Sequence, residues 1–144
     1  MILVTGGTGL IGSHLLFELT KSQQRIRALY RTKKTIEKVK SIFSYYTDNV
    51  SDQFDRIEWL QADLNDIPRL TEAFEGVTHV YHCAALISFD PNDYYKLRET
   101  NISGTANTVL ERLVYLSKLS DATGAQGEKI YYKEVINEQS NQIF

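Results

Sequence analysis

Eight residues near the start of the chain, Thr5-Gly6-Gly7-Thr8-Gly9-Leu10-Ile11-Gly12, have the types and spacing to hold a diphosphate. Glycines at 6, 9 and 12 spell G-x-x-G-x-x-G. Gly6 can take the dihedrals of a tight turn. Gly9 lets the backbone approach a pyrophosphate closely, and Gly12 lets a following helix pack tightly on the preceding strand. A helix starting near Leu10 and Ile11 would turn free N–H groups and the positive end of its dipole toward the phosphates. The alternative is a plain strand–helix turn with no ligand. The run lacks the Gly-Lys-Ser/Thr ending of a triphosphate-binding loop, which disfavours NTP hydrolysis.

Such a turn works only between a strand and a helix, and the surrounding pattern predicts both. Met1–Thr5 reads as a buried strand, and Leu10–Lys21 carries Ile11, Leu15, Leu16 and Leu19 at helical spacing. Arg25–Arg31 reads as a second strand and Thr35–Tyr46 as a second helix, followed by a polar loop, TDNVSDQ. Arg56–Ala62 is a third strand. Asp66–Glu75 is a third helix, with Pro68 in its first turn and Gly76 as its stop. Val77–Ala84 is a fourth strand, Asp93–Leu110 a longer helix weakened by Gly104, and Arg112–Ser117 a fifth strand. Strands alternating with helices predict an α/β fold with a parallel sheet covered on both faces.

Length and composition agree with one domain. The chain has 144 residues, 42% of them hydrophobic, and a net charge of −2. That charge gives no basic footprint for nucleic acid. No apolar run approaches the roughly 20 residues that span a bilayer. The first residues lack a basic region and a small-residue cleavage site, so they read as a strand and not as a signal peptide. The single cysteine, Cys83, cannot form an internal disulfide, and a reducing, cytoplasmic setting is the default expectation. His14, His79 and His82 have no metal-ligand spacing, and no metal is expected.

TGGTGLIGSHL resembles the cofactor turn of the extended short-chain dehydrogenases/reductases, the NAD-dependent epimerase/dehydratase family. QADLND (Gln61–Asp66) is similar to that family's adenine-contacting Asp-Leu step, here Asp63 and Leu64. VYHCAA (Val80–Ala85) resembles its H-x-A-A segment beside the nicotinamide half of the cofactor, here Cys83, Ala84 and Ala85. TNISGTANTVLE (Thr100–Glu111) resembles its N-x-x-G-T-x-N helix, which would make Asn101 the active-site asparagine of a proton relay. The four stretches are in the family's order and cover roughly residues 1–117. The resemblance implies a Rossmann-type, doubly wound parallel sheet of about five strands. It implies a dinucleotide domain at 1–117, and at 118–144 a polar tail that precedes the catalytic helix. The R-A-x-x-R second strand is nearest to the family's reductase-like members.

Two features bear on cofactor and activity. An NAD site usually places an acid about 20 residues after the glycines. Here Leu29-Tyr30-Arg31-Thr32-Lys33-Lys34 offers none before Glu37. Arg31 presents a planar fork suited to a 2′-phosphate, so NADP is favoured over NAD. The alternative is a solvated basic loop. The family's Tyr-x-x-x-Lys pair is also missing. Only Tyr30–Lys34 has that spacing, and it sits at the adenosine side. Where the resemblance implies a catalytic Ser or Thr at the end of strand five, the chain reads Ser117-Lys118-Leu119-Ser120. Ser117 or Ser120 fits only with a shifted register. Leu110-Glu111 also runs almost directly into Arg112, so strand five is displaced or the helix melts near Gly104.

The expected function is therefore the NAD(P)-binding domain of an epimerase/dehydratase- or reductase-type oxidoreductase that moves hydride to or from a carbonyl or carbinol. By itself it would be inactive, with the catalytic helix, a sixth strand and the substrate lobe expected beyond Phe144. The alternatives are a non-catalytic NADP-binding module or sensor completed by a partner chain, or a partly folded gene fragment. The expected partner is a dinucleotide, and a small substrate only where further sequence completes the site. Neither nucleic acid nor membrane is expected, and a homo-oligomer is left open. Tyr131, Tyr132, Val135 and Ile136 are candidates for an interface.

Overall fold

The computed structural model describes residues 1–123. In chain order it contains β1 (Ile2–Thr5), α1 (Leu10–Thr20), β2 (Ile26–Tyr30), α2 (Lys34–Phe43), α3 (Val50–Phe54), β3 (Ile57–Gln61), α4 (Ile67–Ala73), β4 (His79–His82), α5 (Tyr94–Arg98) and α6 (Gly104–Thr123). A 3-10 turn at Pro91–Asp93 leads into α5, and a π-helical turn at Glu99–Ser103 joins α5 to α6. The strands form one parallel sheet in the order β3-β2-β1-β4.

Alternation along the strands splits the core in two, because successive side chains point to opposite faces. Ile2, Val4, Ile26, Ala28 and Ile57 pack under α1, α2 and α3 with Leu16, Phe17, Val39, Phe43 and Phe54. Leu3 and Leu29 face the other way, against Leu64, Leu70, Ala73, Phe74 and Val77. Tyr115 of α6 packs on this second cluster, so helices cover both faces of the sheet, as expected of a doubly wound fold.

The structure corrects three expectations. The fifth strand is absent: Arg112–Ser117 is helical and continues α6 to Thr123, so the described sheet has four strands. RLVYLS is a short apolar run, and such runs do not distinguish a strand from a buried helix segment. Its contacts show why helix wins. Arg112 Nη1 and Nη2 donate to the carbonyls of Val77 and Thr78, both at 2.6 Å, and Gly76 N–H donates to the Tyr115 hydroxyl at 2.9 Å. Helical spacing lets both residues reach the segment entering β4. The helix also does not melt at Gly104. A Cβ there would lie 3.0 Å from Leu64 Cβ and Cδ1, so the missing side chain lets α6 approach the loop after β3. Finally, the second half of the polar loop TDNVSDQ is helical, forming α3 together with Phe54, which is buried against Phe43. The boundary expected after Ser117 falls inside α6. The remainder of the tail, with Tyr131, Tyr132, Val135 and Ile136, lies outside the described residues.

Candidate functional site

Strand order reverses between β1 and β4, which run parallel, and this is the switch point where open α/β sheets bind ligands at their strands' carboxyl ends. β1 ends at Thr5 and the glycine turn begins. Gly6 has φ +65°, in the left-handed region, and a Cβ on it would lie 2.5 Å from Ala84 N and 2.6 Å from the carbonyl carbon of Cys83. The turn therefore rests directly on the backbone leaving β4. Gly12 closes the other side: a Cβ there would lie 2.2 Å from the Gly6 carbonyl oxygen. The helix is thus locked onto the turn itself, more than onto the strand.

The first intrahelical bond of α1 runs from Ser13 N–H to Gly9 O at 3.0 Å. The N–H groups of Leu10, Ile11 and Gly12 precede it and have no acceptor within the helix. No side chain caps this end and no acid lies in the first turn. Leu10 and Ile11 are 73% and 65% exposed, so the apolar rim leaves the helix mouth open. Thr8 lies in the same turn, half-buried. An uncapped helix end with a steric cradle fits a diphosphate.

The adenosine side is an open cleft of about 510 Å³ at the ends of β2 and β3. Tyr30, Arg31, Trp59, Asp63, Asp66 and Arg69 are among its walls. It brings Arg31 and Asp63 together, as expected. Arg31 is exposed, and its carbonyl accepts from Gln61 Nε2 at 3.0 Å. Asp63 Oδ1 accepts from the backbone N–H of Asn65 at 3.0 Å, which fixes the carboxylate's aim. The cap of α4 is Asp66, whose Oδ1 accepts from Arg69 N–H at 3.3 Å, so Asp63 is free of that role. Leu64 is buried beneath Gly104. Tyr30–Lys34 joins this cleft wall to the start of α2, far in the fold from the end of β4.

The nicotinamide side is built from the segment leaving β4. Cys83 N–H donates to Thr5 O at 3.1 Å, and burial pushes the Cys83 thiol up from its ordinary pKa. It therefore remains a thiol at neutral pH. Ala84 is half-buried and Ala85 exposed beside the turn. Asn101 sits inside the π-helical turn. Its Nδ2 donates to Leu86 O at 2.9 Å, and its Oδ1 accepts from Leu86 N–H at 2.8 Å. The amide is thus spent on clipping the post-β4 segment to the helix. Single π-turns within α-helices are frequent at functional sites. Ser117 and Ser120 lie in α6 and not at a strand end.

Sequence reasoning missed two residues here. Asn107, the last position of the N-x-x-G-T-x-N run, donates to Leu64 O at 2.9 Å and to Asn65 Oδ1 at 3.2 Å, tying α6 to the adenine loop. His82 bridges Thr5 and Thr105. Both stood within quoted motifs, but no spacing rule assigns them partners. Among the described residues no group of three His, Cys, Asp or Glu could hold a metal, and no helix is long and apolar enough to cross a membrane.

Residues 4–113 match the NAD-binding family model described as "Male sterility protein". The chain belongs to that family. It corresponds to the dinucleotide-binding part of the extended short-chain dehydrogenases/reductases. Among its relatives is tetraketide alpha-pyrone reductase 2 of Arabidopsis thaliana, 32% identical over 82% of this chain and 39% of that protein. Dihydroflavonol 4-reductase of Hordeum vulgare is 30% identical over 64% of this chain and 25% of that protein. The chain thus spans between 25% and 39% of the length of these relatives. In structure it is similar to a thiolation-reductase di-domain from an archaeal non-ribosomal peptide synthetase, with a TM-score of 0.64 and 27% identity over 78% of this chain and 25% of that one. The family's cofactor is a nicotinamide dinucleotide, whose C4 carries the hydride. Gly6, Gly9 and the N–H groups of Leu10, Ile11 and Gly12 would hold its diphosphate, Asp63 its adenine, and Ala84 and Ala85 its nicotinamide half.

Proposed function

We propose that this domain binds NADP in preference to NAD and serves a cytoplasmic reductase that delivers hydride to a carbonyl group, or removes it from a carbinol. The single observation that carries the preference is the wall at the end of β2. Arg31 stands exposed in the adenosine cleft, and no carboxylate follows β2 where a ribose 2′-hydroxyl would need one. A guanidinium gives a 2′-phosphate two parallel charge-assisted hydrogen bonds. Lys33 and Lys34 add positive potential at the same end. Reductases among the relatives support the direction of the reaction.

Proton transfer is proposed to come from groups other than those described. Asn101 would act by its place in the π-turn, since its side chain already serves Leu86. Without a Tyr-Lys pair the chain would lack the proton-transfer contribution of about 10²–10⁴-fold, so it binds without turning over.

The test is an equilibrium titration with NADPH and, separately, NADH, followed by nicotinamide fluorescence. The parent should bind NADPH more tightly, and Arg31→Asp should weaken NADPH by about 10–100-fold with little change for NADH. Equal NADPH affinity in parent and variant would remove Arg31 from the site. Binding of neither dinucleotide would move the partly folded fragment to first place.

A further inference from the structure

His82 is the one imidazole at the switch point, and both of its ring nitrogens are engaged. Nδ1 lies 2.7 Å from Thr5 Oγ1 and Nε2 lies 2.9 Å from Thr105 Oγ1. Thr5 closes β1 and directly precedes Gly6. Thr105 stands in the first turn of α6, just after the π-turn that carries Asn101. Two residues beyond His82, Ala84 supports Gly6. One ring therefore ties together β1, β4 and α6 where the diphosphate turn and the nicotinamide segment meet.

The hydrogen-bond count works only for a neutral ring. A neutral imidazole has one N–H donor and one acceptor nitrogen, so one threonine donates to it and the other accepts from it. A protonated ring donates at both nitrogens. Whichever hydroxyl had donated then loses its acceptor, in a place where Thr5 is fully buried. A buried donor left unmade is costly. No carboxylate compensates. β1 has no ionisable side chain, β4 supplies His79 and Tyr81, and the residue just after it is the Cys83 thiol. The π-turn supplies Glu99. On α6, Glu111 accepts from Thr71 and Arg112 holds the Val77 and Thr78 carbonyls, both beyond Thr105 along the helix. Burial lowers the His82 pKa below its ordinary value, in the same direction as this count.

We propose that neutral His82 is a positioning residue of the dinucleotide site, holding the glycine turn and the start of α6 in the register that grips the cofactor, and that protonation of the ring releases that grip. The inference rests on dinucleotide binding by this chain but not on the preference for NADP.

NAD⁺ is the probe, because it lacks the 2′-phosphate that would itself titrate near pH 6. Binding is followed by the fluorescence of Trp59, the only tryptophan, which lines the adenosine cleft. The parent's affinity should be flat above about pH 7 and weaken as the pH falls, by about tenfold once the pH is well below the ring's pKa in both free and bound states. His82→Gln keeps one donor and one acceptor. It cannot take up a proton in this range, so, whatever its affinity at about pH 8, it should lose the acid dependence. An acid loss retained in His82→Gln, or a parent without one, would overturn the inference. Should that variant not fold, NMR titration of the parent's His82 ring decides. By reciprocity, bound NAD⁺ must push the ring's pKa down by about one unit for a tenfold effect, and a pKa that does not move overturns the inference. A parent that binds neither NAD⁺ nor NADP⁺ at about pH 8 overturns dinucleotide binding itself. That outcome is distinct from a parent that binds while the ring stays silent.

Discussion

The two halves of the cofactor site are built by different means. On the proposed diphosphate and adenosine side, the features are backbone and steric ones: the Gly6 turn, the open end of α1, and a carboxylate held by one loop N–H. These parts lie on β1–α4, where both faces of the sheet are covered. On the nicotinamide side, the polar groups are spent on holding the chain to itself. Asn101 clips Leu86, Asn107 holds Leu64 and His82 joins two threonines. Around them Ile87 and Phe89 are 78% and 93% exposed, and among the described residues β4 pairs with β1 alone. The first half leaves an open helix end and an open cleft, the surface proposed to take the dinucleotide. The second is a scaffold that positions groups toward parts that these residues do not supply.

The comparison breaks most severely at the Gly6–Gly12 contact. Gly12→Ala puts a Cβ on the Gly6 carbonyl, so either the turn opens or α1 shifts along the sheet. Overpacking of this kind costs about 1–3 kcal/mol. Denaturant unfolding should show a loss of that size, and titration should show dinucleotide binding abolished at any practical concentration. Gly9→Ala meets only Gly6 O, at 3.2 Å, and should unfold near the parent while still losing affinity. If Gly12→Ala bound normally, the diphosphate would not sit in this turn.

Acid should act next, through His82. Its pKa is lower in the folded chain than the ordinary value of 6.5, because of burial. Above about pH 6.5 the ring is neutral in both states and stability does not change on its account. As pH falls below that, the unfolded chain takes up the proton first, so stability declines until the folded pKa is passed. One group gives a slope no steeper than about 1.4 kcal/mol per pH unit. Denaturation midpoints measured between about pH 8 and pH 5 should follow that course, and His82→Gln should flatten it. A parent equally stable across the range would mean that the ring keeps its water contact in the fold.

Much of the first half was legible in the sequence, because its determinants are local. Glycine spacing, β-rich runs and the missing acid after β2 are read within a few residues; Gly6 lies in the turn after β1, and Arg31 and Asp63 line one cleft. The second half depends on contacts distant in sequence. RLVYLS has no local mark that separates strand from helix, and its helical state follows from Arg112 reaching the Val77 carbonyl and Tyr115 reaching Gly76. Gly104 read as a helix breaker because its reason, Leu64, lies forty residues earlier. Asn101 and Asn107 carried a motif, yet their partners are backbone groups of other segments, which no spacing reveals.

The smallest expected effect separates the halves most cleanly. Asn101→Ala deletes both bonds to Leu86, and each is on an exposed residue where water replaces the lost partner. The net cost should be about 1 kcal/mol or less in global stability. The loss should be local: the Leu86 amide exchanges faster in hydrogen-exchange experiments, together with its neighbours from Ala84 to Ser88, while the amides of β1 and β2 keep their protection. Dinucleotide affinity should change by less than about threefold, because the diphosphate turn and the Arg31 cleft do not use this clip. A large fall in affinity would show instead that the post-β4 segment is part of the grip, and the two halves would have to be treated as one cooperative site.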